Sequence, residues 1–181
     1  MTKEKLLLGS HVGMSSPDYL VGSFNEAISY KANAFMIYTG PNQSTLRTDL
    51  SKLKIPEFRK LLEQNSIDIN NVVVHAPYIV NLANQDAKKR AFAISFISNE
   101  LKRTDAIGCK LFVLHPGSAV GVTRQQGLDY IVEGINTIYA KNKINAILCL
   151  ETMSGKGNEL GINIDEIAYL IKNIKDRSHI G

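Results

Sequence analysis

Three short runs of apolar, strand-forming residues each end on a side chain that can bind a metal. They read Asn71-Val72-Val73-Val74-His75, Leu111-Phe112-Val113-Leu114-His115 and Ile147-Leu148-Cys149-Leu150-Glu151. The terminal residues lie 40 and 36 positions apart, about one strand, one helix and two loops. Strands recurring at that interval predict parallel βα units with right-handed crossovers. A polar group at the C-terminal end of successive parallel strands is where barrel enzymes put their chemistry. Two imidazoles and a carboxylate also form a ligand set that Zn²⁺ and similar divalent metals accept.

The remaining sequence fits the same alternation. Residues 6–11 read as a first strand, and Ser16-Pro17 as the start of a helix with an apolar stripe of Tyr19, Leu20, Phe24, Ala27 and Ile28. Residues 34–38 form a second strand, followed by a polar loop to Ile55 and a short helix opened by Pro56. Residues 86–107 predict a long amphipathic helix carrying Phe92, Phe96, Ile97 and Leu101, closed by Gly108. Thr123-Arg124-Gln125-Gln126 has the spacing of a capping box, and Asn163 caps a last helix running to about Ile174. Ser178-His179-Ile180-Gly181 reads as the turn into a sixth strand.

Five βα units at this period are expected to form part of a (β/α)₈ barrel, which would need roughly 290 residues. A complete, doubly wound open sheet is the alternative. The barrel is preferred because the chain stops at the entrance to a strand, and on this reading residues 1–181 are one incomplete barrel domain.

With 44% hydrophobic and 21% charged residues, the composition is that of an ordinary globular chain. No apolar run approaches the ~20 residues of a membrane span, and the apolar stretch within residues 1–8 is too short for a signal-peptide core. A cytoplasmic protein with reduced Cys109 and Cys149 is therefore expected. The net charge of +4 suits an anionic partner without identifying one.

A lone histidine after a strand is more often structural than functional. A second in the equivalent position, joined by Glu151, favours a shared site at the barrel mouth, either a metal centre or an acid–base set. His11 ends the first strand and faces the same mouth, as a supporting or substrate-contacting group. Tyr78-Ile79, taken alone, reads as a hydrophobic anchor of the loop, with a wedge into nucleic-acid bases as the alternative. Arg47, in the loop after the second strand, is placed to meet a phosphate backbone. Lys88-Lys89-Arg90 and Lys102-Arg103 are expected on a solvated helix face, and His179 is structural. Gly155-Lys156-Gly157-Asn158 lacks P-loop spacing and reads as a tight rim loop whose amides could take phosphate.

Several strings taken together resemble endonuclease IV, AP endonuclease family 2. They are Gly9-Ser10-His11-Val12, residues 35–40, His75-Ala76-Pro77-Tyr78-Ile79-Val80-Asn81-Leu82-Ala83, Leu114-His115-Pro116-Gly117 and residues 150–157. The strings occur in the family's order along essentially the whole chain, as its N-terminal two-thirds. The resemblance implies a xylose-isomerase-like TIM barrel acting as a zinc-dependent apurinic/apyrimidinic endonuclease in base-excision repair. Its substrate would be double-stranded DNA containing abasic sites, cleaved 5′ to the lesion, with a three-zinc cluster to bind the scissile phosphate and activate water.

His75, His115 and Glu151 become zinc ligands on this resemblance, Glu151 also bridging to a second zinc, and Tyr78 and Ile79 become the pair inserted at the lesion. The family's remaining ligands, including an Asp-x-x-His after the sixth strand, lie beyond Gly181, so one well-ligated Zn²⁺ site is expected in this chain. The loop after Asn42 departs from the family's usual arginine placement. A monomer without membrane contact is expected. The alternatives are a metal-dependent sugar isomerase or epimerase on the same barrel, or a non-catalytic remnant.

Overall fold

The computed structural model describes residues 6–181, so residues 1–5 lie outside the described residues. Its principal sheet has five parallel strands: β1 (Gly9–His11), β2 (Ala34–Ile37), β3 (Val72–His75), β4 (Leu111–Leu114) and β6 (Ile147–Leu150). A two-stranded antiparallel ladder, β5 (Gly117–Ser118) with β7 (Glu159–Leu160), lies beside it. The helices are α1 (Tyr19–Ser29), α2 (Ile55–Gln64), α3 (Ala87–Ile107), α4 (Arg124–Lys141) and α5 (Ile164–Asn173). Each principal strand pairs with the next in chain order, without the reversal that marks a doubly wound sheet. This is the winding of a barrel wall. Ile180 continues it, bridging Leu148 in parallel, and Leu150 N–H donates to the Gly181 carbonyl at 2.9 Å.

Burial alternates along the strands. Phe35 and Ile37, Val72 and Val74, Phe112 and Leu114, and Leu148 and Leu150 point toward the helices and are buried. Met36, Val73, Leu111, Val113, Ile147 and Cys149 occupy the opposite face and are half-exposed. The period of two makes this sorting automatic once the register is set. Against the outer face pack Leu20, Phe24, Phe58, Leu62, Ile97, Leu101, Ile131 and Ile135, all buried in one apolar cluster.

The helix boundaries follow their caps. Asp86 accepts from the Lys88 and Lys89 amides, Gly108 closes α3 with φ 99°, and the Thr123–Gln126 capping box is present in full. Asn163 accepts from Glu166 N–H at the start of α5. The entry to α1 differs from expectation. Tyr19 has φ 45°, a value no helix interior accommodates, so the helix begins there and Pro17 precedes it.

On α3 Phe96, Ile97 and Leu101 are buried as expected, and Phe92 alone departs from the stripe. Phe92 is 53% exposed, whereas Ala93, Ile97, Glu100, Leu101 and Thr104 are buried. One residue is about 100° of helix, so a stripe through 93, 97, 100/101 and 104 necessarily turns residue 92 outward. Arg103 also departs from the expected solvated face. Its side chain is 12% exposed and lies beside the buried Glu100 carboxylate.

Candidate metal centre and its rim

Strand register explains why residues so far apart in sequence meet. His75 pairs with Val113, and Val113 with Cys149. His115 and Glu151 lie two residues beyond those partners, so all three share the inner face of the barrel wall. On the neighbouring strands Met36 pairs with both His11 and Val73. That register puts His11, Tyr38 and His75 on the same face, with Tyr38 level with His75.

The three expected ligands converge. His75 Nε2 lies 2.9 Å from Glu151 Oε2, and His115 Nε2 lies 3.3 Å from the same oxygen. One donor atom from each residue falls within 4.8 Å of the others. The imidazoles meet edge to face, with centroids 5.1 Å apart and planes at 85°. His75 is 5% exposed, and its Nδ1–H donates to the Ala76 carbonyl at 2.6 Å. That bond orients the ring and turns Nε2 toward the cluster, as in established metal sites. Burial lowers the His115 pKa below its ordinary value; Glu151 opposes this and His75 adds to it. Such a shift favours the neutral, metal-binding form. Donors of these types, presented by three strand ends with one imidazole already oriented, fit a divalent cation.

Around this centre lies a set of rings. Tyr78 is tilted at 37° against His115, centroids 5.1 Å apart, and is 53% exposed. Ile79 beside it is 44% exposed. His11 packs edge-on against Tyr38 at 4.7 Å, and its pKa is lowered by burial and then by His75. A groove of about 630 Å³ opens from Tyr78 and His115 toward Asn81, Ser118, Met153 and Lys156.

Arg47 belongs to a different environment. Its Nε–H donates to Glu100 at 2.9 Å, and Nη1 donates to the carbonyls of Ser44 and Leu46, both at 2.8 Å. With a side chain 10% exposed, it ties the loop after β2 to α3. The rim loop after β6 is also internally engaged. Glu159 Oε2 accepts from Gly155 N–H at 3.0 Å and Lys156 N–H at 2.8 Å, so those amides already hold an anion. His179 bonds Asp176 at 2.9 Å and stacks on Tyr139 at 5.3 Å, a structural role.

Sequence reasoning does not single out Tyr38 or Asn81. Tyr38 lies just past β2, level with His75 at the end of β3, and only its aromatic character hides it among core candidates. Asn81 fixes the loop after β3: Oδ1 accepts from Ala83 N–H at 2.9 Å and Ser118 N–H at 3.0 Å, while Nδ2 donates to the Ser118 carbonyl at 2.8 Å. Gly117 allows this approach. It has φ 149°, and a Cβ there would lie 2.7 Å from Asn81 Oδ1. Gly117→Ala is therefore expected to lower stability by about 1–3 kcal/mol, measured by urea denaturation. An unchanged midpoint would contradict the close approach.

The chain's relatives agree with this architecture. Residues 24–181 match the family model described as xylose isomerase-like TIM barrel. The chain is 47% identical to the probable endonuclease 4 of Mycoplasma pneumoniae over 97% of its own length and 61% of the relative's. It is 46% identical to the corresponding Acholeplasma laidlawii protein, over 97% and 60% respectively. The chain thus spans about three-fifths of the length of the curated relatives it matches. Among solved structures, endonuclease IV from Thermus thermophilus superposes with a TM-score of 0.76 at 21% identity, covering 96% of this chain and 61% of that one. A D-tagatose 3-epimerase-like protein gives 0.71 at 18% identity, covering 96% and 63%. These two likenesses speak to the fold. No helix among the described residues is long and apolar enough to cross a membrane. With most of its length matched by the family model and its barrel-wall winding in place, the chain belongs to the xylose isomerase-like TIM-barrel family, and it resembles endonuclease IV in sequence along nearly all of its length.

Proposed function

We propose that residues 1–181 form a part-barrel AP endonuclease domain. It carries one zinc site and the lesion-probing loop of an enzyme that cleaves duplex DNA 5′ to abasic sites in base-excision repair. The observation that carries this reading is the convergence of His75, His115 and Glu151 donor atoms within 4.8 Å at three strand ends. His75, His115 and Glu151 would hold the metal. When bound, zinc supplies a Lewis acid that lowers the pKa of water and neutralises charge on a phosphate.

The chain's own residues have separate tasks. The Ala76 carbonyl fixes the His75 ring, burial favours the neutral form of His115, and Glu151 brings its charge between the two imidazoles. Tyr78 and Ile79, half-exposed on the rim beside His115, would enter the base stack at the lesion, as apolar wedges do in proteins that kink duplexes. His11, behind Tyr38, supports the mouth rather than the ligand set. Arg47 is engaged by Glu100 and would hold its loop in place near the DNA. Free Cys109 and Cys149 suit a reducing, cytoplasmic setting. The 47% identity to a protein named endonuclease 4 supports DNA over a sugar as substrate.

Fluorescence anisotropy with matched duplexes, one carrying an abasic analogue, tests the reading in the presence of Zn²⁺. The chain is expected to prefer the abasic duplex, and Tyr78→Ala to reduce that preference by about tenfold, the scale of one lost base–aromatic stack. Equal affinity of the unaltered chain for both duplexes would refute it.

A further inference from the structure

Tyr38 sits at the junction of the metal centre and the exposed rim. It is 7% exposed, and its ring packs edge-on against three others: His11 at 4.7 Å, His75 at 5.4 Å and Tyr78 at 5.8 Å. Its hydroxyl donates to the hydroxyl of Tyr78. A buried phenol on the barrel wall thus holds the tip of a tyrosine that is itself 53% exposed on a loop.

We propose that Tyr38 is a positioning residue for lesion recognition, acting through the Tyr78 hydroxyl to keep the Tyr78–Ile79 pair projecting beside the groove. This rests on the wedge reading of that pair. An exposed loop aromatic samples several rotamers and must surrender them on entering a base stack, which weakens binding. Anchoring its far end to a side chain that cannot move removes that cost before DNA arrives. Tyr38 is suited to the task because β2 and β3 register fixes it level with His75, and three packed rings fix its own orientation. Its hydroxyl bonds Tyr78 and no expected metal ligand, so its contact with His75 is one of ring packing alone. The two contributions can therefore be separated by removing one oxygen.

The test is a double-mutant cycle on the full chain with Zn²⁺, reading the ratio of affinities for abasic and intact duplexes. Tyr38→Phe and Tyr78→Phe are each expected to lower that ratio by about fivefold, the scale of one net hydrogen bond. The double variant is expected to fall no further, because both singles break the same bond. Zn²⁺ affinity of Tyr38→Phe should stay within about twofold of the unaltered chain, since the ring and its contacts with His75 remain. Losses that multiply in the double variant, or a full ratio in Tyr38→Phe, would overturn the proposal. A large drop in Zn²⁺ affinity would also overturn it, showing that Tyr38 serves His75 instead. A ratio of one in the unaltered chain would sink the wedge reading itself, and the positioning role with it.

Discussion

Glu151→Ala is expected to weaken Zn²⁺ binding by more than about 100-fold, above the range seen when only a ligand's supporting partner is lost. The Nε2 atoms of both imidazoles approach this one carboxylate, at 2.9 and 3.3 Å. Its removal takes away a donor atom and the negative charge that offsets a dication between two neutral rings. His75→Ala should come close to the same loss, since His75 is the proposed ligand whose orientation is fixed in advance by Ala76. Competition against a chromophoric chelator measures both. Circular dichroism should remain unchanged for Glu151→Ala, because the side chain is 42% exposed and its loss leaves no core cavity. Zn²⁺ affinity within about threefold of the unaltered chain would remove Glu151 from the ligand set.

The second large effect concerns stability. Glu100 is 1% exposed, accepts from Thr39 Oγ1 at 2.5 Å and Arg47 Nε at 2.9 Å, and lies 3.9 Å from Arg103 Nε. Two guanidinium groups thus share one buried carboxylate, and neither Arg47 Nη2 nor Arg103 Nε has a hydrogen-bond partner among the described residues. Glu100→Ala would leave the buried Arg47 without its ion-pair partner and Arg103 with only the neighbouring Asp49 as counter-charge. Breaking such a pair from one side costs about 3–5 kcal/mol, far more than loss of a surface ion pair. Glu100→Gln should cost less, because its amide oxygen still accepts from one arginine. Urea denaturation of the three proteins separates these cases, and a loss below about 1 kcal/mol for Glu100→Ala would contradict the burial. Because Arg47 and Thr39 flank the loop after β2, that variant should also loosen residues 39–49.

How much of this is legible in the sequence depends on whether the signal is local. His75, His115 and Glu151 are legible because each closes an apolar run, and a period of two puts strand ends on one face once parallel pairing is assumed. Parallel βα pairing is legible from spacing, which by itself fits a barrel wall and a doubly wound sheet alike until the strand order is seen, and the caps of α3, α4 and α5 are legible from their side chains. Glu100 is not, because a charge in an amphipathic helix reads as solvated and its partner Arg47 lies 53 residues away. That same pairing draws Arg47 inward, which no property of the polar loop around it announces. The β5–β7 ladder is invisible because two residues per strand carry no periodicity. Tyr38 shares the strand-end position of His75, and only its hydroxyl contact with Tyr78, across 40 residues, distinguishes it from an ordinary core aromatic.

X-ray absorption at the zinc edge, on the full chain loaded with one equivalent of Zn²⁺, tests the central claim most directly. The account predicts two imidazole nitrogens and carboxylate oxygen in the first coordination shell, with the imidazole signal reduced in His115→Ala. A spectrum of oxygen ligands alone, unchanged by His115→Ala, would contradict it.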